Sequence, residues 1–230
     1  MSEDLGGLPL AHEQAAAYCE RLGIALADYR RRFAAAPEPL LDATKDASVD
    51  YHGGLTVAKA FALAIDEAAK LHPAAEPLIA QAAQLAPEAI PLFLFTEGRE
   101  KFGQPLASLL AGDGLDEAIA ALRAFALVDR ETIGDERDPS VTTETIRLHR
   151  LVRVAAAGRR QGDALEAARR VLIKAMEVVY PAGVTSNNDP SVWPRARRLD
   201  ALAFDLLRRD APPGKRPRPL YSFGLYRTPR

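Results

Sequence analysis

Two alternating runs interrupt a chain whose apolar residues otherwise recur every three or four positions. Ala126 to Thr132 and Thr142 to His149 read as strands, and the polar stretch Gly134-Asp-Glu-Arg-Asp-Pro139 reads as the turn between them. In the second run Glu144, Ile146 and Leu148 fall on one face; Thr143, Thr145, Arg147 and His149 fall on the other. One hairpin set among helices predicts a mainly α chain with a small two-stranded β-wing.

The helical stripes are explicit. Leu8, Ala11, Ala15, Tyr18 and Leu22 share a face, and Gly23 supplies a stop. Leu26, Tyr29 and Phe33 repeat the stripe until Pro37 and Pro39 end it. Residues 40–54 read as a polar connection broken by Gly53 and Gly54. Thr56 is placed to cap a helix whose inner face is Val57, Ala60, Phe61, Ala64 and Ala68. Pro73 suits the first turn of the next helix, which points Leu78, Ala82 and Leu85 inward before Pro87 closes it.

From about residue 88 the pattern changes. Pro91 to Phe95 reads as a short buried helix, and Asp113 as the cap of a helix carrying Leu115, Ala118, Leu122 and Phe125. Helices followed by a hairpin are the order of a winged helix. After the hairpin, Leu165, Ala168, Leu172, Ala175 and Val179 line another helix, and Trp193-Pro194 opens a last one through about Arg209. The expected divisions are a helical segment at 1–70, a winged helix at 71–155, a helical hairpin at 156–209 and a tail at 210–230.

The net charge of −1 conceals an asymmetry: residues 1–140 sum to −11 and residues 141–230 to +10. Either the two halves complement each other internally, or the basic end meets an anion. The final twenty residues hold five prolines, five basic side chains and no acids, a composition that predicts disorder. The abrupt change from Asp200-Ala-Leu-Ala-Phe-Asp-Leu-Leu207 into this tail suggests a truncated or frame-shifted end.

Motifs for catalysis do not occur. The sequence has no Gly-x-x-x-x-Gly-Lys-Ser/Thr phosphate loop, no Gly-x-Gly-x-x-Gly and no Gly-x-Ser-x-Gly. His12, His52, His72 and His149 are scattered without metal-ligand spacing, and Asp66-Glu67 and Asp116-Glu117 read as solvated helix surface. The single cysteine, Cys19, reads as a small core residue and points to a reducing, cytoplasmic setting. No apolar run approaches the roughly 18 residues of a membrane span.

Two segments resemble a known family. Leu5-Gly-Gly-Leu-Pro-Leu-Ala-His-Glu-Gln-Ala-Ala-Ala-Tyr18 resembles the Gly-Leu-Pro-Leu motif and following helix of NB-ARC domains, which belong to the STAND class of signalling ATPases. Leu148-His-Arg-Leu-Val-Arg153 resembles the Met-His-Asp motif that ends the family's winged helix, with Leu148 in place of methionine and Arg150 in place of aspartate. The stretch from Thr56 to Phe95 is similar to bacterial members that carry tetratricopeptide repeats. The resemblance implies that Pro9 packs against the adenine of a bound nucleotide and that His149 contacts the β-phosphate of ADP.

In that family the phosphate loop and metal-binding aspartate precede the Gly-Leu-Pro-Leu motif, which here begins at Gly7. The resemblance therefore implies a regulatory, non-catalytic segment with no metal site. It would meet ADP or ATP only together with a nucleotide-binding core, and its partners would be that core or a repeat domain. Two other classes stand beside this one. The first is a winged-helix DNA-binding regulator, opposed by Asp116 and Glu117 at the start of its recognition helix, Gly114 to Arg123. The second is a helical protein-interaction module. Neither sequence-specific nucleic acid nor a membrane is expected as a partner.

Overall fold

The computed structural model describes residues 23–35, 57–181 and 189–210, together with residues 12, 15, 16, 19 and 20. Pro9, the connection at 40–54, the cap at Thr56 and the tail from Ala211 lie outside the described residues.

Residues 12, 15, 16, 19 and 20 are helical, and Gly23 ends that segment at φ +61°. Ile24 N–H donates to the Cys19 carbonyl at 3.0 Å and Gly23 N–H to that of Glu20 at 3.3 Å, the paired bonds of a Schellman stop. Positive φ is nearly free of cost only for glycine, which is why the stop was readable. Helix α1 (Leu26–Ala35) turns Tyr29 and Phe33 inward, while its first residue, Leu26, stays exposed.

Helix α2 (Val57–Leu71) buries Val57, Ile65 and Ala68 and turns Leu63 and Leu71 to the outside. Helix α3 (Ala75–Ala82) buries Leu78 and Ile79, and Leu85 is buried just beyond its end. Strand β1 (Ile90–Pro91) replaces the start of the helix expected from Pro91, and helix α4 (Phe93–Glu97) begins only afterwards. The correction has a physical cause. Ile90 and Pro91 lie opposite Ile146 and Thr145, and an edge strand tolerates a proline whose missing N–H faces away from its neighbour.

A tight 3-10 turn (Arg99–Phe102) and helix α5 (Leu106–Leu109) lead to helix α6 (Gly114–Ala124). Leu115, Ala118, Ile119 and Leu122 are buried, whereas Phe125 lies past the helix end and is 37% exposed. Asp113 occupies the capping position without making the expected side-chain bond, because its own backbone is already helical at φ −82°, ψ −2°.

Strands β2 (Val128–Gly134) and β3 (Thr142–Leu148) form the hairpin. The first begins two residues later than expected, since Ala126 sits at φ +52° in the preceding turn. The sheet is antiparallel in the order β1-β3-β2, so the wing has three strands rather than two. Helices α7 (Arg150–Ala157), α8 (Gly162–Val179) and α9 (Trp193–Asp210) complete the described chain. The fold is thus mainly helical with a small β-wing, in winged-helix order.

One continuous core runs from Ile65 to Leu207. Leu172, Ala175 and Met176 of α8, with Leu199, Leu202, Ala203 and Leu206 of α9, belong to it, so the last two helices close over the winged helix. Gly98 allows that closure. A Cβ there would stand 3.0 Å from the Ala175 Cβ and 2.5 Å from the Leu94 carbonyl oxygen.

Candidate functional site

His149 leaves the strand at the point where β3 gives way to α7. Its backbone is extended, at φ −58°, ψ 142°, and its Nδ1 accepts from the Leu151 N–H at 3.3 Å. The sequence placed it on the strand face of Thr143, Thr145 and Arg147; the structure makes it a helix cap instead. The cause is general: the first turn of a helix leaves amides without carbonyl partners, and a side-chain acceptor satisfies one. With Nδ1 accepting, the neutral ring carries its proton on Nε2.

The residues after His149 gather the N-terminal elements. Leu151 is fully buried in a second small core with Ala15, Tyr29, Phe33 and Val57, against which Cys19, Ile24, Ala58 and Val154 pack. Arg150 stands over the Phe33 ring at 6.0 Å. The helix that follows the Gly-Leu-Pro-Leu segment thus meets the helix that His149 caps. Burial and the nearby Asp28 charge raise the Cys19 thiol above its ordinary value, which disfavours the thiolate.

Arginines of the second half meet acids and carbonyls of the first. Arg153 donates to the Ala82 carbonyl at 3.1 Å and the Leu85 carbonyl at 2.7 Å, satisfying the end of α3. Arg159 reaches Asp66 at 2.5 Å and Glu76 at 3.4 Å, and Arg160 reaches Glu76 at 3.3 Å. Arg195 grips Glu97 with two bonds, donates to the Val179 carbonyl, and lies 4.0 Å over the Phe93 ring. Of the two meanings of the charge asymmetry, these contacts favour internal complementarity.

The wing turn is part of the same pairing. Asp135 is 4% exposed, accepts from the Arg137 and Asp138 N–H groups, and receives two bonds from Arg197 of α9. The Arg197 bonds, reinforced by the two amides, hold the Asp135 carboxyl at about 2 against the opposing effect of burial. Arg198 donates to the neighbouring Gly134 carbonyl. Beside them Tyr180 donates to Asp200 at 2.6 Å, and burial pushes both groups above their ordinary values.

The helix expected to enter a DNA groove is acidic at its start. Asp116 pairs with Arg130 of the wing at 2.6 Å, and Glu117 lies 3.5 Å from the His72 Nε2. Arg130 is shared with Glu144 at 2.9 Å, so the wing cation nearest that helix is already matched by two carboxylates. A phosphate backbone would meet repulsion there. Among the described residues no group of three His, Cys, Asp or Glu side chains comes together to hold a metal, and no helix is long and apolar enough to cross a membrane.

A groove of about 370 Å³ opens between the wing and the start of α9. Val141 to Glu144 form its floor, and Phe93, Pro194 and Arg195 stand along its walls. Sequence reading missed this groove, the Asp135–Arg197 pair and the capping role of His149. The signal for the cap was a polar residue two positions before an apolar periodic stretch, Leu151-Val152-Arg-Val154. The chain matches no protein-family profile, no curated protein and no solved structure.

Proposed function

We propose that this chain is the regulatory segment of a nucleotide-dependent switch of the STAND type, which contributes interdomain contacts and a sensor for bound ADP but no catalysis. The observation that supports this reading is the meeting of the N-terminal helical segment with α7 through Ala15, Cys19 and Leu151. The two segments that resemble NB-ARC motifs are 130 or more positions apart in sequence, and a described residue of each, Ala15 and Leu151, belongs to one small core.

In this reading His149 does two jobs with two atoms. Nδ1 fixes the ring by capping α7, and Nε2–H donates to a β-phosphate oxygen when a nucleotide-binding core presents ADP. Pro9 packs on the adenine. ADP or ATP would be held jointly, because the phosphate loop and the metal-binding aspartate belong to that core. The partner is accordingly a protein, and phosphate release from ATP by this chain alone is expected to be absent.

The test joins the chain to a nucleotide-binding core of this class and compares ADP release between the parent and His149→Asn. Asparagine keeps a capping acceptor and removes the ring donor. A charge-assisted bond of about 1.5–3 kcal/mol corresponds to roughly ten- to hundred-fold faster release. Release at the parental rate would remove His149 from the nucleotide site.

A further inference from the structure

We infer that His72 is a proton-sensitive clasp at the corner between α2 and α3. Neutral, its ring holds the Ala74 amide; protonated, it releases that amide and turns to Glu117 of α6. The inference is independent of the nucleotide reading.

The corner is a tight turn around Pro73, which has no N–H of its own. His72 N–H donates to the Ala68 carbonyl at 3.0 Å as α2 ends, and Ala75 N–H donates to the His72 carbonyl at 3.0 Å as α3 begins. The Ala74 N–H between them donates to His72 Nδ1 at 3.2 Å. Ala74 and Ala75 are fully buried, so water is not at hand to replace the ring as acceptor.

A ring nitrogen accepts only while it carries no proton. With Nδ1 accepting, the neutral ring carries its proton on Nε2, which lies 3.5 Å from a Glu117 carboxylate oxygen, beyond ordinary hydrogen-bond length. A second proton goes to Nδ1. The ring is then a donor on both sides, and the Ala74 amide faces another N–H. That buried amide loses its acceptor, while the new positive charge draws the ring toward Glu117. Proton uptake therefore moves the ring from the α3 side of the corner to the α6 side.

Glu117 meets little competition for the imidazolium. The other carboxylates of the three helices are engaged elsewhere: Glu67 with Lys70, Asp66 and Glu76 with Arg159, and Asp116 with Arg130. Of the cations, Lys70 is held by Glu67, and Lys59 and Arg123 lie toward the far ends of α2 and α6. The His72 side chain is 14% exposed, which leaves it a path to solvent protons.

The experiment follows the full chain by NMR from about pH 8 to about pH 5, the range in which histidines commonly exchange their protons. Ring nitrogen shifts should show the neutral His72 protonated on Nε2; a proton on Nδ1 instead would overturn the inference. Exchange of the Ala74 amide, taken relative to the unstructured chain at each pH, should quicken about three- to tenfold in step with the ring's titration, as expected for one ordinary hydrogen bond. The Ala75 amide, bonded to the His72 carbonyl, should keep its protection. A ring that does not titrate in this range, an Ala74 amide that ignores the titration, or an equal loss at Ala75 would each overturn the clasp. His72→Asn presents an acceptor to the same amide and takes up no proton, so its Ala74 exchange should show no acid step; a persisting step would count against the ring. Glu117→Gln should move the His72 titration to lower pH by removing the carboxylate that favours the imidazolium, and an unmoved titration would overturn the transfer to α6.

Discussion

Arg197 of α9 holds Asp135 of the wing turn by two bonds, to Oδ2 at 3.0 Å and to Oδ1 at 2.5 Å, across 62 positions of sequence. Asp135 also accepts the Arg137 and Asp138 amides, so one carboxylate shapes the turn and fastens it to the last helix. A buried carboxylate with one cation is strongly harmed by removal of that cation.

This pair sets an acid limb of stability. The folded-state Asp135 carboxyl lies at about 2, below its ordinary value of 3.8. Its contribution is therefore complete above the unfolded value and is lost as pH falls toward and through the folded one. Melting curves of the parent and Asp135→Asn should differ most near neutral pH, and the gap should narrow between about pH 4 and pH 2. A gap that widens in acid would contradict the pairing.

Loss of the His149 cap should cost stability without disturbing the sheet. His149→Ala is expected to lose about 1 kcal/mol in urea denaturation, and His149→Asn a small part of that. Equal losses in the two variants would assign the ring's contribution to packing rather than to the Leu151 amide.

Leu151 joins the N-terminal elements to the winged helix through a core of few residues. Leu151→Ala should destabilise by about 2–5 kcal/mol. Hydrogen exchange should rise first in α1, whose Tyr29 and Phe33 share that core, and much later in α6, which belongs to the larger one. A uniform rise across both helices would show that the two cores unfold as one.

At Gly98 the chain after α4 passes close against Ala175 of α8. Gly98→Ala places a methyl against the Ala175 Cβ and the Leu94 carbonyl, both held by their helices. Overpacking of this kind should cost about 1–3 kcal/mol, read as a lower urea midpoint. Pairing it with Ala175→Gly relieves the contact with Ala175 and should recover part of the loss; no recovery would place the strain at the Leu94 carbonyl alone.

The sequence by itself determined the elements whose signal is local. Of the stripe Leu165, Ala168, Leu172, Ala175 and Val179, all but the partly exposed Leu165 became the buried face of α8; Gly23 became a helix stop, and the polar run from Gly134 became the wing turn. Each depends on side-chain period or backbone freedom within a few residues, which any chain with those residues must obey. Tertiary structure decided the rest. Strand β1 exists only because β3 offers Ile90 and Pro91 an edge; without that edge Pro91 reads as the start of a helix. His149 became a cap because α7 begins there, and its resemblance-based partner Pro9 lies outside the described residues. The charge asymmetry acquired meaning only when Arg159, Arg195 and Arg197 met Asp66, Glu97 and Asp135, between 62 and 98 positions away. Charge and hydrogen-bond partners act through space, and a linear pattern shows which residues carry them but not which will meet.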